Sequence, residues 1–128
     1  MDPLNLTVLQ GKFTIHRAQP ESEIPAELLK APFLSITRTD EELSLVLPED
    51  YPFQSGKSEP GWRCIKVCGP LDFSLTGILA SLSRSLAEAG VSIFALSTFD
   101  TDYLLVKEQG LETAIQALEE SGHNINRD

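Results

Sequence analysis

Cysteine is scarce in this chain, with only Cys64 and Cys68 present. If their segment, RCIKVC, is a strand, their Cα atoms stand roughly 13 Å apart on one face, too far for a disulfide between them. Both read as reduced side chains packed like small hydrophobes. Histidine is as rare, with His16 and His123 alone, and no spacing of Cys, His, Asp or Glu specifies a metal site or a nucleophile triad. Both histidines read as surface or interface residues, and neither metal nor cofactor is expected. Positive charge is short too: 10 Lys and Arg stand against 19 Asp and Glu, a net charge of −9. The deficit is shared, with 5 basic and 10 acidic residues in 1–60 and 5 and 9 in 61–128. Such a surface has no room for a large basic patch, which excludes nucleic acid as a partner. No run of about 18 apolar residues is present, which excludes a helical membrane span. The opening MDPLNLTVLQGKF lacks the basic and apolar regions of a secretory signal, so a cytoplasmic protein is expected.

What is present is the mixture of an ordinary globular protein: 41% hydrophobic, 23% charged and 7% aromatic residues. At 128 residues the chain can form one compact domain or two small lobes sharing a core. Its second half has the clearer periodicity. RCIKVC reads as a strand, and Ser74 to Ala89 as a helix carrying Leu75, Ile78, Leu79, Leu82 and Leu86 at helical spacing, ended by Gly90. VSIFALSTF and DYLLVK read as strands joined by a polar turn. Leu111, Ala114, Ile115 and Leu118 then form a second helical stripe that Gly122 ends, and HNINRD offers a short edge strand or a frayed end.

This order, β-α-β-β-α with an optional last β, predicts an α+β fold of ferredoxin-like type, an antiparallel sheet with both helices on one face. The first half repeats it in reduced form: LTVLQGKFTIHRA gives one or two strands, IPAELLK a short helix, and FLSITR with ELSLVLP a hairpin. YPFQSGKSEPG (51–61) punctuates the chain with prolines and glycines. LSITRTDEELSLVLPED (34–50) and ALSTFDTDYLLVKEQG (95–110) share a Ser or Thr before the turn, a Thr-Asp pair at it and an apolar strand ending in acid. Two ferredoxin-like lobes are predicted, a degenerate one over 1–60 and a complete one over 61–128.

Two stretches carry candidate chemistry. CGPLDFSLTGILASL (68–82) leads from a strand through Gly69 and Pro70 into a helix with Asp72 or Ser74 as N-cap. Free N–H groups at such a helix start suit a carboxylate. Gly77, early in the helix, costs about 1 kcal/mol against alanine, which either close approach of a ligand or helix packing explains. The second stretch is STFDTDYLLV (97–106), where Thr98, Thr101 and Asp102 cluster at a strand end. Asp102 there either serves plain turn chemistry or receives an ammonium through charge-assisted hydrogen bonds. Together the stretches read as a cradle for an α-amino acid, with helix N–H groups for its carboxylate and Asp102 for its amine.

The run IKVCGPLDFSLTGILASLSRSLAEAGVSIFALSTFDTDYLLV resembles the ACT domain, and in particular the paired ACT repeats of a family that includes small bacterial proteins and eukaryotic cytosolic arginine sensors. The resemblance covers 61–122 well and the first half loosely. It implies two βαββαβ lobes and ligands held at interfaces between ACT units by the first βα loop and neighbouring strand ends. It puts Asp72, Phe73, Ser74, Leu75, Thr76 and Gly77 in the ligand loop, and Ser97, Thr98 and Asp102 on the facing strands. The arginine-sensing relatives carry acidic side chains where this chain has Ser74 and Leu75, so the resemblance implies a neutral or smaller amino acid in place of arginine.

The expected function is therefore a non-enzymatic, regulatory amino-acid-binding protein, acting as a homodimer through an exposed sheet edge or through a separate protein partner. The alternatives are a ligand-free interaction module of the same fold and a small enzyme using Cys64 or Cys68, which would need an accessible thiol of low pKa. Thr39 and Asp40 are the pseudo-symmetric counterparts of Thr101 and Asp102, but the Glu41-Glu42 pair after them makes the first lobe more polar, and no second ligand site is expected there.

Overall fold

The computed structural model describes residues 3–68 and 77–127. Its elements are β1 (Asn5–Val8), β2 (Phe13–Ala18), β3 (Ser35–Arg38), β4 (Leu43–Pro48), β5 (Lys57–Val67), α1 (Ile78–Glu88), β6 (Ile93–Ser97), β7 (Asp102–Lys107), α2 (Leu111–Glu120) and β8 (Asn124–Arg127). Single 3-10 turns lie at Ala26–Lys30 and Glu108–Gly110. The chain divides into two units, one of Gly11–Trp62 and one joining the residues up to Gln10 with those from Arg63 onward.

In the C-terminal unit the strands run in the order β6-β7-β5-β1-β8. Leu82 and Leu86 of α1 and Leu111, Ala114, Ile115 and Leu118 of α2 are buried in one cluster with Leu6, Val8, Ile65, Val67, Leu104 and Val106. The strand members recur at every second residue and the helix members at three or four. Both helices therefore cover the same face of the sheet, as the stripes predict. A ferredoxin-like chain sets its last strand beside its first. Here β1 takes that place, antiparallel to β5 with Leu6 opposite Val67, and β8 pairs outside it, parallel to β1 with Leu6 opposite Ile125. That pair is parallel within an otherwise antiparallel arrangement of the kind expected. A division at residue 60 also leaves β1 with the first lobe, whereas its hydrogen bonds lie in the second. The closing strand is held to α2 by Arg127, whose two terminal nitrogens each donate to a Glu112 carboxylate oxygen at 2.7 Å.

α1 begins later than its stripe implies. Gly77 is its N-cap at φ 80°, a left-handed conformation that a right-handed helix cannot run through, so a helix from Ser74 is interrupted there. The alternative N-caps, Asp72 and Ser74, lie outside the described residues. Gly90, at φ 78°, ends the helix in the way expected, its N–H donating to Ala87 O at 3.0 Å.

The N-terminal unit has the strand order β3-β4-β2-β5, antiparallel throughout, which is the ferredoxin-like order. Leu43, Leu45 and Leu47 of β4 bury one face with Ala18 of β2 and with Leu28 from the 3-10 turn that replaces the first helix. No second helix forms. Residues 49–56 cross from β4 to β5 as turns and extended chain, and Tyr51 and Phe53 pack against the cluster in a helix's stead. The punctuation at 51–61 is only partly a connection, because β5 already starts at Lys57. Its Pro60 and Gly61 sit where the β2–β5 register shifts, a bulge with Gly61 at φ 81° that lets a strand absorb a residue with no N–H to give.

Candidate functional site

β6 and β7 are joined by residues 98–101, and the turn is built from its own side chains. Thr98 N–H donates to Thr101 O at 2.8 Å, and the Thr98 hydroxyl both donates to Thr101 O at 3.1 Å and accepts from Thr101 N–H at 3.2 Å. For Thr98 the plain turn chemistry applies. Asp102 differs. It stands opposite Ser97 in the ladder, and Ser97 Oγ donates to Asp102 Oδ1 at 2.6 Å. The other oxygen, Oδ2, accepts no hydrogen bond among the described residues, and the residue is half-buried. Beside it, Thr101 is 6% exposed, and its hydroxyl is buried with no partner among the described residues. A hydroxyl left so is costly unless something else comes to meet it.

Gly77 provides the second part. The first bond of α1 runs from Ser81 N–H to Gly77 O at 2.8 Å, no side chain among the described residues caps the helix, and its first turn carries no acid. The N–H groups of Ile78, Leu79 and Ala80 are thus without helical acceptors, at the positive end of the dipole. A Cβ on Gly77 would meet nothing within 4 Å, so its glycine is required by the positive φ and not by close packing among the described residues. Because a strand-helix-strand crossover on one face brings the chain back to the end it left, the start of α1 and the β6–β7 turn stand at the same end of this sheet.

The structure thus brings Ser97, Thr98, Thr101 and Asp102 into one turn and sets Gly77 at the helix start. Asp72, Phe73, Ser74, Leu75 and Thr76 lie outside the described residues. Both histidines, expected at the surface or at an interface, are buried within the chain, each 6% exposed. His123 Nδ1 accepts from Leu4 N–H at 3.1 Å, and His16 Nδ1 meets Ser55 Oγ at 2.9 Å. Burial lowers the pKa of each imidazole. Burial also pushes the Cys64 thiol up to about 12, the reverse of what a nucleophile needs. Among the described residues, no three Cys, His, Asp or Glu side chains gather as a metal site would require, and no helix is long and apolar enough to cross a membrane.

A family model of the ACT domain matches residues 57–120. The chain belongs to the ACT domain family. A second model, of an N-terminal domain, matches residues 11–51. The human cytosolic arginine sensor for mTORC1 subunit 1 is 36% identical over 81 residues, which are 62% of this chain and 24% of that protein. This ACT chain therefore spans about a quarter of the length of such relatives. A crystal structure of a protein from Agrobacterium tumefaciens is 39% identical, with a TM-score of 0.90, over 100% of this chain and 96% of that one. The regulatory subunit of aspartate kinase from Thermus thermophilus shares the fold at 11% identity, with a TM-score of 0.65, over 91% of this chain and 96% of that one. The named relatives among these are a sensor and a regulatory subunit, not catalytic domains.

Proposed function

We propose that this chain is a regulatory, non-catalytic ACT protein of the cytoplasm. In this reading it holds a small amino acid at the interface between its C-terminal ACT unit and that of a second copy in a homodimer. The observation that carries it is the Asp102 carboxylate, bound by Ser97 at 2.6 Å with one oxygen left over among the described residues, at the sheet end where α1 begins. An α-ammonium takes the open oxygen by charge-assisted hydrogen bonding, and an α-carboxylate takes the N–H groups at the start of α1. The unpartnered Thr101 hydroxyl is a further polar group within the same turn. Residues Asp72, Phe73, Ser74, Leu75 and Thr76 complete the loop side. Ser74 and Leu75 bring no charge for a cationic side chain, so a neutral or small amino acid is preferred over arginine. Relatives named for amino-acid sensing and for regulation support the class of ligand.

The second copy is drawn to β6, which among the described residues pairs only with β7 and is an edge of its sheet. The response to ligand then passes through self-association or a protein partner. The test is a thermal-shift screen of the purified chain against the twenty amino acids, with calorimetry on any hit and on Asp102→Ala. A ligand at 100 times its dissociation constant adds about 2.7 kcal/mol to the native state. Binding that Asp102→Ala leaves unchanged removes the assigned amine partner, and a flat response to all twenty leaves an interaction module of the same fold.

A further inference from the structure

The N-terminal unit contains a cleft of about 580 Å³ beside the crossing at 49–56, within the size range of small-molecule sites. It lies where a complete ferredoxin-like lobe would carry its second helix. Tyr51 and Phe53 supply aromatic lining, the exposed Glu23 and Glu49 line it too, and buried His16 belongs to its lining.

The hydrogen bonds fix what His16 offers. Ser55 has one hydroxyl proton, and Ser55 Oγ donates it to Lys57 O at 3.0 Å. Ser55 therefore accepts at its contact with His16, 2.9 Å away, and the proton of the neutral ring sits on Nδ1. Nε2 is left as a bare lone pair, buried and with no partner among the described residues. The Phe53 ring, 5.4 Å away and at 87° to the imidazole, presents only its edge or face and supplies no N–H or O–H donor. Glu49 Oε2 accepts from Gly61 N–H at 2.7 Å, while Glu23 is exposed and its side chain makes no hydrogen bond among the described residues. Every lining group whose role is fixed is thus an acceptor. Thr14, Tyr51 and Gln54 can serve either way, and no lysine or arginine lines the cleft.

Acceptors, carboxylates and aromatic lining without a cation call for a ligand that donates hydrogen bonds, carries positive charge and has an apolar body. We propose that this cleft is a second binding site, separate from the β6–β7 turn, for a small organic cation of the alkyl- or arylammonium class. The ammonium lies between Glu23 and Glu49, its carbon body rests on Tyr51 and Phe53, and in a diamine the second ammonium reaches the His16 side of the cleft.

The experiment uses the whole chain with phenethylammonium and 1,4-diaminobutane, and with phenethyl alcohol and 1,4-butanediol as neutral counterparts, followed by NMR and calorimetry. The expected result is saturable binding of at least one of the two cations, at least tenfold tighter than its neutral counterpart. Shifts should centre on the His16, Tyr51 and Phe53 resonances. Glu23→Gln, at an exposed residue with no bond to lose, should weaken it at least threefold. Asp102→Ala should leave it unchanged, which separates this site from the amino-acid site whatever becomes of the latter. Failure of both cations to saturate, equal binding of the neutral compounds, shifts centred elsewhere, or indifference to Glu23→Gln would each overturn the proposal.

Discussion

Ser97 and Asp102 face each other across the last pair of the β6–β7 ladder, joined by a 2.6 Å bond from hydroxyl to carboxylate. The bond orients the carboxylate, as the proposed ammonium partner would require. Asp102→Asn keeps an oxygen for Ser97 and loses the charge. It is expected to lower amino-acid affinity at least tenfold by calorimetry, while shifting stability by less than about 1 kcal/mol in urea, since the group lies near the surface. Ser97→Ala, which frees the carboxylate but keeps its charge, should cost less affinity than Asp102→Asn.

Glycine at the start of α1 answers to backbone geometry. At φ 80° an alanine pays about 1–2 kcal/mol for the left-handed conformation, and Gly77→Ala is expected to lose about that much in urea unfolding. Gly110→Ala is the control: no positive φ is involved, and the added Cβ would meet Val91 at an ordinary 3.8 Å. It should change stability by less than about 0.5 kcal/mol.

The two thiols should part under alkylation. Cys64 is buried, and its pKa is pushed up to about 12, while Cys68 is half-buried with its sulfur 3.3 Å from Thr7 Oγ1. Native protein treated with iodoacetamide at pH 7.5 should add at most one label, at Cys68, and unfolded protein two, read by mass spectrometry. Fast labelling of Cys64 in the native state would contradict its burial.

Stability should fall on mild acidification. Burial holds His16 and His123 below the ordinary value of 6.5. Above pH 6.5 both are neutral, folded or unfolded, and contribute no slope. As the pH drops through 6.5 the unfolded chain takes up protons that the folded chain resists, so stability is progressively lost toward the lower folded-state pKa values. Urea midpoints at pH 7.5 and 5.5 test this, and His16→Gln should reduce the difference between them.

Much of the C-terminal unit was legible in the sequence because its helices bury one face each. Leu82 and Leu86, and Leu111, Ala114, Ile115 and Leu118, stand at helical spacing and are all in the core. The turn at 98–101 was legible because its hydroxyls and Asp102 speak for themselves locally. Where α1 starts was not, since its hydrophobic stripe runs on through a glycine whose positive φ only the fold reveals. His16 was misjudged for a different reason. In FTIHRA the apolar residues alternate with polar ones, which marks Phe13 and Ile15 as the inner face, yet Phe13, Thr14, His16 and Ala18 are all buried. Two-sided burial erases the period-2 signal on which a sequence reading depends. The partner of β1 was equally hidden, because a four-residue strand states its direction and register only through distant residues.

That strand leaves a mark on how the protein comes into being. β1 leaves the ribosome before its neighbours β5 and β8, which emerge only after the whole of the other unit has been made. For that interval Leu6 and Val8, both in the finished core, have nowhere to go. Pairings this remote slow folding and expose strand edges while they wait. A fragment cut at residue 60 to isolate the ACT unit would make the wait permanent, with β5 and β8 each bare along the side that β1 covers.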